Sequence, residues 1–252
     1  MELGMPLKVK TCAFVVSHPR SGTHLMLDFV RRNFRNFNPP LMPWESSAKL
    51  FADADGPHWR QSASRIVETG HAHLLVKTHR AGFTNQNDVE LRRVFNPEHV
   101  VYLYPFRKFS ETVRSFAEFL QYDEPISRLL DEPDAFFGRS ATVGDCLREH
   151  AQSWLERPAH FLDCDRLLGD PETASARLAP LLNETPAPLK RRLPGKKIYQ
   201  GKLGELMERL TGRQSTEVVI PYQLRWQDKA EQDAVDSRFA DLYAELSTRR
   251  VN

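Results

Sequence analysis

The chain has 252 residues, 40% of them hydrophobic and 27% charged, with a formal net charge of +2. That length suits one sizeable core and is marginal for two, so we expect a single domain over residues 1–252. The balance excludes a disordered or strongly polyanion-binding chain, and no apolar run reaches the ~20 residues of a membrane helix.

Taken in chain order, Thr11–Ser17 ("TCAFVVS") is an apolar run that reads as a buried strand. It is too short for a signal peptide. Thr23–Phe34 follows with apolar residues at Leu25, Met26, Phe29 and Val30, the spacing of an amphipathic helix. Phe37–Ser64 carries Pro and Trp without a clear period and reads as an irregular surface excursion near the site. Leu74–Lys77 is a short apolar run, and His99–Tyr104 ("HVVYLY") is a second clear buried strand. A helix is predicted over Phe109–Gln121, another over Val143–Trp154, a strand over Ala159–Asp163 and a helix over Glu172–Leu182. Asp228–Leu246 reads as one final charged, amphipathic helix. Strands alternating with helices predict an α/β fold: a parallel sheet flanked by helices, with a phosphate-binding strand-loop-helix at the first strand. Three widely spaced cysteines, Cys12, Cys146 and Cys164, point to a reducing, cytoplasmic setting.

The junction "SHPRSGTHL" between the first strand and helix is the most informative stretch. A helix N-terminus offers N–H groups without partners and the positive end of the helix dipole, which suits an anion. Gly22 lets the backbone approach a ligand closely. Ser21 and Thr23 add hydroxyls, and Arg20 adds a planar cationic fork. Capping alone needs one hydroxyl and explains neither Arg20 nor Gly22. The nucleoside-triphosphatase loop is a different pattern, because it needs a lysine after its second glycine, and here Thr23 and His24 follow Gly22. A cluster of Lys190, Arg191, Arg192, Lys196, Lys197 and Lys202 points to a local anionic ligand.

"HPRSGTHL" resembles the 5′-phosphosulfate loop of the sulfotransferases, whose donor is 3′-phosphoadenosine 5′-phosphosulfate (PAPS). Lys77-Thr78-His79 resembles the K-T-H element of the cytosolic members. The resemblance implies that His79 is the general base, that Lys77 contacts the transferred sulfonate and that Arg20 holds the phosphosulfate with Ser21, Gly22, Thr23 and His24. On an extended segment, residues two apart share a side, so Lys77 and His79 are expected to face one centre.

"HVVYLYPFRKFSETVRSF" resembles the 3′-phosphate element, an arginine after a strand followed eight positions later by a serine: Arg107 and Ser115. A gapless alignment would place Pro105 and Val113 there instead; a phosphate needs the charge and the hydroxyl. "KKIYQGKLGEL" resembles the late R-K-G-x-x-G loop around the same phosphate, so Tyr199, Gln200, Gly201 and Lys202 are expected to bind the donor, with Lys196, Lys197 or Lys202 supplying charge. The implied activity is metal-free transfer of a sulfonate from PAPS to a small-molecule or lipid-like acceptor, leaving adenosine 3′,5′-bisphosphate. No nucleic acid is expected as a partner and no membrane span. A metal-dependent nucleotide kinase and a non-catalytic nucleotide-binding regulator are the alternatives.

Overall fold

The computed structural model describes residues 9–37, 51–68, 73–81, 92–134, 141–186, 226 and 228–251. Their framework is one parallel five-stranded sheet flanked by helices, the α/β class expected. The strands are β1 (Thr11–Val16), β2 (Ala52–Asp53), β3 (His73–Thr78), β4 (His99–Phe106) and β5 (Ala159–Asp163). They lie in the order β2-β3-β1-β4-β5. β1 is laddered on both edges, from Thr11↔His73 to Val16↔Thr78 with β3 and from Thr11↔His99 to Val15↔Leu103 with β4. All six of its residues are buried, which is why it reads as a continuous apolar run and not an alternating one.

Successive β1 side chains go to opposite faces. Cys12, Phe14 and Val16 join Leu74, Val76, Tyr104 and Phe106 in one cluster. Ala13 and Val15 join Leu75, Val101, Leu103 and Leu162 in the other. The first cluster is covered by α2 (Trp59–Glu68), α3 (Phe109–Leu120), α5 (Val143–Leu155), α8 (Lys229–Arg238) and α9 (Ala240–Thr248). The second is covered by α1 (Thr23–Asn33), α6 (Cys164–Gly169) and α7 (Pro171–Leu182). The short α4 (Ile126–Leu129) lies between α3 and α5 in sequence. Side chains set several helix starts. Thr142 accepts from the Asp145 N–H at α5, Asp170 from the Thr173 N–H at α7 ahead of Pro171, and Asp228 from Ala230 and Glu231 at α8.

Three expectations are corrected. Phe37–Ser64 is not wholly irregular: β2 lies inside it and α2 begins in it. The α2 stripe of Trp59, Ala63 and Ile66 straddles Ser64, so the boundary concealed the helical period. β4 runs two residues past Tyr104, through Pro105, to Phe106. Pro105 lies beyond the last β1 partner, Leu103, where only β5 remains alongside, and a residue without an N–H is tolerated there.

Asp228–Leu246 is two helices, broken at Phe239 (φ −121°, ψ 15°). The Phe239 ring is buried and stacks on Phe109 of α3 at 4.5 Å. Burying a phenylalanine contributes about 1.5–3 kcal/mol, whereas one backbone hydrogen bond contributes about 1, so packing wins over helix continuity. Phe239→Ala should therefore lower unfolding free energy by about 3–5 kcal/mol in a urea titration. A loss under ~1 kcal/mol would show that the break has another cause.

Candidate functional site

The loops after β1 and β4 leave the sheet toward opposite edges, since β1 leads to β2 on one side and β4 to β5 on the other. A crevice opens at the carboxyl ends of such neighbouring strands. Arg20 lies in the loop after β1, and Arg107 follows β4 directly.

The β1–α1 turn is tied from within. The Ser21 backbone N–H and hydroxyl both donate to the His18 carbonyl, at 3.2 and 2.7 Å. The Ser17 and Thr23 hydroxyls are 2.5 Å apart. The hydroxyls expected to meet an anion are thus used, in this structure, to shape the turn. Arg20 has φ 70° and Gly22 φ 117°, both left-handed. Gly22 is forced for a second reason: a Cβ built on it would collide with the Cys164 sulfur at the start of α6. Gly22 is the α1 N-cap position, and no side chain caps that helix.

Arg20 and Arg107 are neighbours. Arg107, buried, donates from Nη2 to the Arg20 carbonyl. Arg20 donates from Nε to the Ser115 hydroxyl of α3 at 3.1 Å, and its guanidinium lies 5.4 Å from the Phe119 ring centre. Burial and then Arg107 lower the Arg20 pKa, opposed by Glu118. In the gapless alternative Pro105 lies within β4 and Val113 is buried in the core, so neither offers a polar group to this crevice.

β3 brings the second group. The His79 ring is buried, with Nδ1 2.7 Å from the Ser17 carbonyl. A carbonyl only accepts, so Nδ1 carries the proton and Nε2 is the basic nitrogen of the neutral ring. Lys77 leans the other way, to Asp53 of β2 at 2.9 Å. The two residues therefore diverge toward opposite neighbouring strands, although Lys77 still acts on His79 electrostatically. Burial first, then Lys77, holds the His79 pKa well below 6.5. His24, beside Phe51, is pushed down to about 3 by burial, then Lys77, then Arg20. His24 thus senses cations from both halves of the site.

Two residues were missed in the sequence. Asp55 accepts from the Thr78 hydroxyl at 2.8 Å and from the His79 N–H at 2.6 Å, and Arg80 lies 3.4 Å away. Asp53 holds Lys77. Their sequence signal is the alternation Asp53-x-Asp55 at a strand end, within the Phe37–Ser64 stretch that reads as irregular. A buried polar seat also underlies the turn. His18 Nε2 is 3.9 Å from Asp134, its ring edges onto Phe116 and His150, and His150 Nδ1 lies 3.2 Å from the Tyr104 hydroxyl. Tyr199, Gln200, Gly201 and Lys202 lie outside the described residues. No cluster of three metal-type ligands occurs among the described residues, and no helix there is long and apolar enough to cross a membrane.

No family model and no curated protein matches the chain. Among solved structures it is similar to a sulfotransferase domain from the Synechococcus PCC 7002 olefin synthase. The identity is 13%, the match covers 94% of this chain and 96% of that one, and the TM-score is 0.49.

Two tests follow from this geometry. Gly22→Ala should destabilise the protein by at least the ~1–2 kcal/mol of a left-handed residue with a side chain. Adding Cys164→Ala should recover part of that loss in denaturant titrations, because only the collision is relieved; equal stability of the single and double variants would refute the steric account. Secondly, His24 and His79 have pKa values below that of an unfolded histidine, so the unfolded chain binds more protons below about pH 6.5. Unfolding free energy should then fall as pH drops from 7 to 5, and His79→Gln should flatten the curve.

Proposed function

We propose that this chain is a sulfotransferase that moves a sulfonate group from PAPS to a hydroxyl or amine of a small-molecule or lipid-like acceptor. The observation that carries the proposal is the juxtaposition of Arg20 and Arg107, with Ser115, in the crevice between the ends of β1 and β4. Two guanidiniums side by side repel one another, and an anion lying between them removes that cost. The uncapped N-terminus of α1 opens onto the same turn, and its first N–H groups have no acceptors within the helix.

The residues fit the donor in kind. Arg20 and the N–H groups at the start of α1 would hold the 5′-phosphosulfate, which supplies an activated sulfonate. Arg107 and Ser115 would grip the 3′-phosphate and so select this nucleotide over ATP. The Tyr199–Lys202 segment is assigned to that phosphate on resemblance alone. His79 Nε2 would take the acceptor proton, and the depressed pKa keeps that nitrogen unprotonated at neutral pH. Asp55 fixes the His79 backbone and so positions the ring. Lys77 would swing from Asp53 to the sulfonate. As in phosphoryl transfer, positioning and charge stabilisation supply the catalysis, and fixed cations can provide the neutralisation. Three buried cysteines, none in a disulfide, fit a reducing cytoplasm.

Adenosine 3′,5′-bisphosphate should raise the melting temperature in the presence of a chelator, with saturation at 100 times Kd contributing about 2.7 kcal/mol. Equal shifts with ATP and Mg²⁺, or a strict need for metal, would favour a kinase. Arg107→Ala should weaken the bisphosphate on the order of tenfold to a hundredfold and barely affect ligands without a 3′-phosphate.

In a labelled-sulfate transfer assay, His79→Ala should cut turnover by about 10²–10⁴ while donor binding survives. The acid limb of the wild-type rate should lie well below pH 6.5 and be absent from the variant. A folded His79→Ala enzyme with normal turnover would remove His79 as the base and turn attention to a carboxylate such as Glu68.

A further inference from the structure

A second cationic cluster lies apart from the Arg20–Arg107 crevice. A cavity of about 430 Å³ is lined by Arg166 of α6, Arg177 of α7, Ser247 and Thr248 at the end of α9, and Arg250 beyond it. Its floor is tied to the sheet. Arg250 bridges in parallel to Phe161 of β5, the Val251 N–H donates to the Phe161 carbonyl at 2.9 Å, and Arg177 donates to the Val251 carbonyl at 3.2 Å. Three arginines distant in sequence are thereby held around one concavity.

Among the described residues their charge is met by neighbouring carboxylates but by no ion pair in contact. Nearby arginines are paired with acids: Arg249 with Glu245, Arg148 with Asp241 and Arg238 with Asp131. No ion pair closes on Arg166, Arg177 or Arg250 among the described residues. Other ionisable groups in the neighbourhood are Asp163, Asp165, Asp170 and Tyr243. Asp163 caps α6, and Asp170 caps α7. Asp170 is held low chiefly by its own bond to Thr173, with Arg177 a lesser influence.

We propose that this cavity binds the phosphate or pyrophosphate group of a small molecule. Three guanidinium forks supply diverging N–H donors, which match the diverging oxygens of a tetrahedral dianion better than the two coplanar oxygens of a carboxylate. Ser247 and Thr248 complete the lining, the Thr248 hydroxyl donating to the Ala244 carbonyl at 2.9 Å, and the volume falls within the roughly 300–1,000 Å³ of ligand sites. The site is independent of the proposed sulfonate transfer.

Inorganic pyrophosphate is the probe, titrated calorimetrically into the full chain at low ionic strength. The background is Arg20→Gln/Arg107→Gln, so that the first crevice does not report. Binding should persist in that background. There Arg166→Gln, whose side chain makes no hydrogen bond among the described residues, should weaken it about tenfold without changing the melting temperature. Arg177→Gln/Arg250→Gln should weaken it about a hundredfold, and added salt should weaken it further. Phosphate should bind more weakly than pyrophosphate if two phosphoryl groups are spanned, and as well if one is held. Absence of pyrophosphate binding in the crevice background, or binding indifferent to Arg166→Gln, would overturn the proposal.

Discussion

The turn that leaves β1 constrains the rest of the site. β1 is laddered on both edges and buried on both faces, so its carboxyl end is where it can meet a ligand. The chain must turn there into α1 beneath Cys164, and it does so through a residue with φ 117° and no Cβ. Tightening by the Ser21 and Thr23 hydroxyls fixes where the Arg20 carbonyl and guanidinium lie. Arg107 binds that carbonyl, and Ser115 binds that guanidinium. The contacts that assemble the cationic pair thus rest on the shape of one turn.

The same constraint sets the proton chemistry. β3 lies beside β1, so its end delivers His79 to the Ser17 carbonyl. Burial and nearby cations both disfavour imidazolium, and they act in the same direction on His79 and His24. The positive charge gathered here therefore helps to keep both histidines neutral. Asp53 and Asp55 counter part of that field. They sit on the β2 side of β3, where one holds Lys77 and the other the His79 backbone, and so they leave the Arg20–Arg107 side positive.

The two arginine clusters differ in how the fold treats them. Arg107 is buried and bonded to the backbone of the turn, so its position is specified before any ligand arrives. Arg166 and Arg177 are exposed on short and medium helices, and the docking of residues 250–251 on β5 brings Arg250 beside them. The first cluster is thus preorganised by the fold. The second is the more open arrangement.

The sequence by itself determined the elements whose signal is local. Thr11–Ser17 and His99–Tyr104 read as strands because central parallel strands are apolar along their length, Ala159–Asp163 reads as one although it lies at the sheet edge, and α1 and α7 show the apolar spacing of a helix. The composition of the turn likewise marks Arg20 and Gly22, both left-handed in the structure. Tertiary structure decided what depends on distant partners. It set the order of the strands, the short β2 paired with β3, and the break at Phe239 where its ring stacks on Phe109. It also decided that Arg20 meets Ser115 across 95 residues and that Lys77 meets Asp53 across 24. Periodicity records which face of an element is buried. It carries no record of which element lies opposite, and the chemistry of this site lies in those pairings.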